Sequence, residues 1–159
     1  MAYAKEETTL IIIKPDALQR NLLGEIVQRF ERKGLRIVGM KMMRLDDVLL
    51  EEHYVHHKDK PFFEGLKRFM KSSPVIVTAL AGINAIKACR IIVGPTHGAE
   101  ADAGSIRGDL AMSTQNLVHA SDSQETAEAE LARFFKAQEL FDYEKIDFPF
   151  VYGEEESKI

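Results

Sequence analysis

Residues 116–135, NLVHASDSQETAEAELARFF, join a histidine to the start of a helix. His119 ends a short apolar run. Two overlapping capping signatures follow it, Ser121 with Gln124 and Asp122 with Glu125. A helix N-terminus offers unpaired N–H groups and partial positive charge, which suit an anion. An imidazole beside an anion can accept a phosphoryl group, but the same position also suits a core histidine or a metal ligand. Glu130 bears on the choice. Ala127, Leu131 and Phe134 mark the apolar stripe of the helix, and Glu130 lies roughly 60° from its centre. A carboxylate at the rim of a buried face needs a partner, and an oriented catalytic histidine would be one. A glutamate reaching past the rim to water is the alternative.

Other cations are spaced along the chain. Lys14 ends the apolar run in IIIKPDA, and strand ends are where α/β sheets gather ligands. Arg90 precedes a long connection that carries Thr96 and Arg107, the latter between Gly104 and Gly108. Arginines grip phosphate through paired N–H groups, and glycines let backbone approach a ligand. Each of these also reads as an ordinary surface group. Neither a Walker phosphate loop nor a G-x-G-x-x-G turn is present. HYVHH offers His53 and His57 one helical turn apart, but H-E-x-x-H is absent and no third ligand stands out, so no protein-held metal is expected. Tyr54 and Phe62 suit either the core or a site.

Elements must position these groups. Residues 8–14 form an apolar β-branched run stopped by Pro15, and residues 35–45 alternate with basic positions. Residues 74–82 read as a central strand and 116–120 as a short final one. Helical spacing spans 23–34, 46–57, 61–73 (Phe62, Leu66, Phe69 and Met70 on one side), 83–94 and 123–135. Residues 95–115 are left as a long connection, which in a small domain points to function. The order predicts an α/β sandwich with a ferredoxin-like βαββαβ core. A doubly wound parallel sheet is the alternative.

A chain of 159 residues suits one domain over 1–159, with a charged, mobile tail at 153–159. The net charge of −4 argues against a nucleic-acid surface. The single cysteine, Cys89, excludes an intrachain disulfide and fits a reducing compartment. The N-terminal apolar stretch is too short for a signal core, and the longest one, PVIVTALAGI, is much shorter than a membrane span, so a cytoplasmic protein is expected.

The stretches TLIIIKPDA, GEIVQRFERKGL, HYVHHKDKPFFEGL, SIRGD and NLVHASDS, in this order, resemble the nucleoside diphosphate kinase family. NLVHASDS is similar to that family's N-x-x-H-G-S-D pattern. The resemblance implies a ferredoxin-like, four-stranded antiparallel sheet and ping-pong transfer of a γ-phosphoryl group through a phosphohistidine at His119. It implies that Glu130 holds the ring and Ser121 helps fix Glu130. Lys14 would reach the phosphates and ribose, Asn116 the 3′-hydroxyl, and Tyr54 the transferred group. Arg90, Thr96, Arg107 and His57 would lie at the phosphates, and Phe62 with Leu66 at the base. Mg²⁺ would arrive on the nucleotide phosphates. ATP and other NTPs and NDPs would be the partners, with no membrane or nucleic acid needed. The C-terminal segment resembles that of hexameric members. Three departures stand out: Ala120 for the motif glycine, Gly98 for a frequent proline, and a stretch between Arg107 and Asn116 that is one residue short. A protein-to-protein histidine phosphocarrier would share His119 but need no base-stacking Phe62. A non-enzymatic binding module would need neither His119 nor Glu130.

Overall fold

The apolar run at the N-terminal end of the chain is a strand, β1 (Glu6–Ile13), whose last five residues are all buried. The computed structural model describes residues 5–157. β1 lies in the middle of a four-stranded sheet of order β2-β3-β1-β4, with β2 at Arg36–Met43, β3 at Val75–Ile83 and β4 at Val118–Ala120. Every pairing is antiparallel, which establishes the ferredoxin-like arrangement and excludes the doubly wound parallel sheet.

Both faces of β1 and β3 are covered, so residues 10–13 of β1 and most of β3 run apolar rather than alternating. Ile11 and Ile13 face helices α2 (Leu23–Arg32) and α5 (Ala85–Val93), packing with Ile26, Phe30 and Cys89. Leu10 and Ile12 face α3 (Asp47–His53), α4 (Phe63–Lys71) and α7 (Gln124–Phe134), packing with Leu50, Phe63, Met70 and Phe134. A short α1 (Pro15–Gln19) follows β1, with Pro15 at its first turn. Asp46 caps α3 as its sequence position predicts, accepting from the Leu49 N–H at 2.8 Å.

Several boundaries differ from expectation. α3 stops at His53, and residues 55–57 are a tighter turn, so His53 and His57 do not share one helix. The α4 register turns Phe63 into the core and leaves Phe62 53% exposed. The long connection contains α6 (Ile106–Leu110), capped by the Ser105 hydroxyl, and a tight turn at Gly98–Glu100. Two further short helices, α8 (Phe148–Val151) and α9 (Glu154–Ser157), end the described chain. The expected mobile tail at 153–159 thus begins in a helical turn, and residues 158–159 lie outside the described residues. No helix of the described residues is long and apolar enough to cross a membrane.

Arg36 joins a buried ion pair within the sheet to an exposed carboxylate of the C-terminal segment. Arg36 contacts Glu6 at 2.7 Å and Asp142 at 3.1 Å. Val38, at the irregularity between Ile37 and Gly39, accepts from the Phe141 N–H at 2.7 Å.

Candidate active site

Strand alternation aims His119. It pairs with Ile12, so its ring points to the face lined by α3 and α7, while Val118 and Ala120 turn to the opposite core. Glu130 rises from α7 on that face and is only 5% exposed. Its two oxygens lie 2.9 and 3.0 Å from His119 Nε2. The Ser121 hydroxyl donates to Glu130 Oε2 at 2.6 Å. Burial raises the Glu130 pKa, but the histidine and the hydroxyl outweigh it, and the net direction is down, so the group is a carboxylate. A carboxylate accepts from Nε2–H. The neutral ring then keeps its lone pair on Nδ1.

The α7 stripe is therefore not centred where spacing placed it. Ala127, Glu130 and Phe134 are buried, and Leu131 is half-buried. The cap also differs from both predicted frames. Ser123 caps α7, accepting from the Thr126 N–H at 3.1 Å, while Ser121 is fully buried and serves Glu130.

The chain between α6 and β4 builds the opposite wall. Leu117 has φ +71°, and the Val118 N–H donates to the Asn116 carbonyl at 2.8 Å, closing a γ-turn. Such backbone costs about 1–3 kcal/mol and persists only where its surroundings hold it. Here the Leu117 N–H donates to Asp16 Oδ2 at 3.0 Å, and its carbonyl accepts from the Lys14 N–H at 2.8 Å. The turn delivers Asn116 to Lys14. Lys14 Nζ donates to Asn116 Oδ1 at 2.7 Å, and Asn116 Nδ2 donates to the Thr96 carbonyl at 2.7 Å. Burial, then the Arg107 charge, brings the Lys14 pKa down to about 8 against the pull of Asp16.

Arg107 is 4% exposed. It donates through Nε to the Asn116 carbonyl at 3.2 Å and through Nη1 to the Gly94 carbonyl at 2.9 Å, and Nη2 donates to the Val118 carbonyl. Two of its five N–H groups remain for a ligand. Arg90 and Thr96 are exposed at the same end, and Arg90 reaches toward the Ala120 carbonyl at 3.4 Å. The glycines do other work than expected. Gly108 is bare because a Cβ there would meet the Asp102 backbone, and Gly104 takes φ +95° with open space beside it. At Gly98 a Cβ would collide with the Ala111 carbonyl. The shortened 107–116 stretch lies on that residue, and the Gly98 N–H donates to the Ser113 carbonyl at 3.1 Å.

Tyr54 closes the site. Its ring centroid is 6.3 Å from that of His119, and its hydroxyl is buried with no partner. Burial, then Glu130, pushes its pKa up, so it is a phenol and a donor. His57 stacks on Tyr54 at 6.1 Å and meets Phe62 at 5.3 Å. Leu66 is half-buried one turn further on. The sequence reading gave no sign of one group, Asp16, and weighed another, His53, only as a metal partner of His57. Asp16 anchors the γ-turn. His53 is buried against His119 at 4.6 Å between centroids, and its spacing from Leu50 on the buried stripe of α3 was the available signal.

These groups form an oriented imidazole facing a basic cradle, an arrangement suited to accepting a phosphoryl group. Comparison with known proteins agrees. A model of the nucleoside diphosphate kinase family matches residues 7–140. The chain is 54% identical over 151 residues to the nucleoside diphosphate kinase of Parabacteroides distasonis, covering 94% of this chain and 99% of that one. It is 45% identical over 150 residues to nucleoside diphosphate kinase B of Canis lupus familiaris, with 94% and 99% covered. A Halobacterium salinarum nucleoside diphosphate kinase solved with CDP superposes with a TM-score of 0.90 at 43% identity, covering 92% of this chain and 99% of that one. A transition state mimic of the Borrelia burgdorferi nucleoside-diphosphate kinase, with vanadate and ADP, superposes with a TM-score of 0.85 at 32% identity, covering 92% and 96%. The chain belongs to the nucleoside diphosphate kinase family, enzymes that move a phosphoryl group between nucleoside triphosphates and diphosphates, and is not a protein-to-protein phosphocarrier.

Proposed function

We propose that His119 carries the phosphoryl group in a ping-pong exchange. The observation behind this is the double contact of Glu130 with Nε2, which leaves the Nδ1 lone pair as the nucleophile. Nδ1 attacks the γ-phosphorus, the bond to the bridging oxygen breaks, and a diphosphate leaves. A second diphosphate then takes the phosphoryl group through its terminal oxygen. Glu130 stabilises the ring as it gains positive charge, and Ser121 holds Glu130. Lys14, Arg90, Arg107 and Thr96 bind the phosphates, His57 lies near them, and Asn116 meets the sugar 3′-hydroxyl. Tyr54, a buried phenol with an unused hydroxyl, donates to the transferred group. Positioning and charge do most of the work in such transfers.

Mg²⁺ enters on the nucleotide. Asp16, whose charge acts on Lys14, gives Oδ2 to the Leu117 N–H and keeps Oδ1 buried, so phosphate oxygens and water would suit the ion better than a single protein oxygen. It adds positive charge at the phosphates.

Phe62, exposed beside His57, stacks on the base, with Leu66 beside it. Stacking accepts any base, and relatives described with CDP and with ADP fit such tolerance. ATP and other NTPs and NDPs are thus the partners, with no nucleic acid or membrane required. The chain acts as one domain over 1–159, in the cytoplasm, where a single buried free thiol suits reducing conditions. It assembles as a homo-oligomer, a hexamer. In support, the edge strand β2 leaves Met40 and Met42 exposed at 42% and 61%.

Phe62→Ala tests the nucleotide assignment. KM for all diphosphates should rise about tenfold or more, the scale of one lost stacking contact. An unchanged KM would remove Phe62 from the site.

A further inference from the structure

We propose that His53, His119 and Glu130 form a binding site for one zinc-type divalent cation, and that filling it silences the His119 nucleophile. The binding stands on geometry. Its consequence for catalysis rests on the phosphohistidine reading above.

Three elements bring the donors together. His53 ends α3, His119 lies on β4 and Glu130 on α7, and one ligand atom from each falls within 4.8 Å of the others. His119 Nε2 is 2.9 Å from Glu130 Oε1, and His53 Nδ1 is 3.7 Å from the same oxygen. In a tetrahedral site with bonds of about 2.0–2.1 Å, neighbouring donors lie about 3.3 Å apart. These two separations bracket that value, and the three ligand atoms lie within 4.8 Å of one another, so closing on an ion would draw the two imidazoles together about the Glu130 oxygen.

The chemistry of the set selects its ion. Two imidazoles and one carboxylate suit zinc, whereas Mg²⁺ prefers an octahedron of oxygens. The Mg²⁺ that accompanies nucleotides would therefore not compete well. The Arg133 guanidinium lies 3.4 Å from His53 Nδ1, so a cation taking the Nδ1 lone pair would have to displace that long contact. The His119 side chain is 20% exposed, whereas those of His53 and Glu130 are 1% and 6% exposed, so an ion would enter a nearly closed site from the His119 side. Arg133 opposes the cation. It is anchored to Glu52 at 3.0 Å, and its charge weakens the site without closing it.

Occupation would change the tautomer of His119. A neutral imidazole has one N–H, held on Nε2 by Glu130. A metal on Nε2 uses the lone pair there, so the proton moves through water to Nδ1. Nδ1 then has no lone pair for phosphorus. The phosphate cradle of Lys14, Arg90 and Arg107 is untouched, so inhibition would not compete with nucleotide.

The test uses Co²⁺ as a visible stand-in, titrated into the full chain freed of metal and nucleotide. One Co²⁺ per chain should give the absorption of a four-coordinate nitrogen–oxygen site, and Zn²⁺ should displace it. His53→Asn and His53→Phe, each checked for folding by circular dichroism, should weaken Co²⁺ binding by about 100-fold, the upper scale of a disrupted metal site. In the unaltered protein, Zn²⁺ should shift the ring ¹⁵N signals of His53 and His119 together. Zn²⁺ should also abolish phosphohistidine formation, EDTA should restore it, and nucleotide affinity should stay the same. No cobalt absorption, absorption undiminished in both His53 variants, or unmoved ring signals would overturn the proposal. If the zinc-free and cobalt-free protein, given Mg²⁺ and ATP, forms no phosphohistidine, the kinase reading fails, and the cobalt titration still judges the metal site.

Discussion

Lys14 is a cation held where a cation is costly. Buried beside Arg107, it keeps its proton only to about pH 8. A bound phosphate would raise that value again by offering the missing negative charge. The free enzyme should lose kcat/KM for triphosphate as pH climbs through about 8, and Lys14→Arg, which stays charged, should flatten this limb; a flat profile in the unaltered enzyme would contradict the assignment. The same shift acts on folding. The unfolded chain holds this proton to about 10.5 and the folded chain only to about 8, so the penalty present below 8 is relieved between these values as pH rises. Residue identity was readable where one property decided the outcome. Glu130 was legible because a carboxylate at the rim of a helical stripe needs a partner. Ser121 was misread as a cap because three serine or aspartate positions in a row offer equivalent frames, and only packing selects Ser123. Phe62 and Phe63 are adjacent and chemically identical, so the helix register alone decides which is buried.

At the scale of elements, the strands and long helices follow from apolar spacing, because periodicity reports burial directly. The wall from Gly94 to Asn116 does not. Its order comes from contacts distant in sequence, such as Asp16 to the Leu117 N–H and the Arg107 guanidinium to three backbone carbonyls. No local pattern encodes these, so α6 and the γ-turn at Leu117 went unseen. The same wall explains a departure from the family pattern. Gly98 stands where a proline is frequent because the Ala111 carbonyl lies against it. Gly98→Pro, although it restores the family residue, should destabilise this chain by about 1–3 kcal/mol, the usual cost of overpacking, read as a lower midpoint in thermal melting. A gain in stability would show that the 111–113 backbone yields freely.

At the scale of the whole molecule, edge strand β2 is covered only in part. The Phe141 N–H bonds it at Val38, while Met40 and Met42 beyond stay exposed, and exposed apolar groups on an edge strand are a surface that soluble proteins cover. Met42→Glu places charge on that edge. The oligomer should fall to a smaller species by sedimentation or light scattering, with the site of each chain still assembled. An unchanged mass would move the interface elsewhere. The element order was legible from sequence and left a ferredoxin-like and a doubly wound sheet; the family resemblance favoured the antiparallel pairings that the structure shows. Which residues an assembly would cover was not legible, because exposure of a methionine depends on which strand forms the edge.

The central claim is that His119 becomes covalently phosphorylated and passes the group on. The direct measurement is a single turnover with Mg²⁺ and γ-labelled ATP and no acceptor, with His119→Ala alongside, followed by separate chases with GDP, CDP, UDP and dTDP. The account expects acid-labile, alkali-stable label on the protein, absent in His119→Ala and removed by every diphosphate. Label that persists without His119, or that no diphosphate removes, would contradict it.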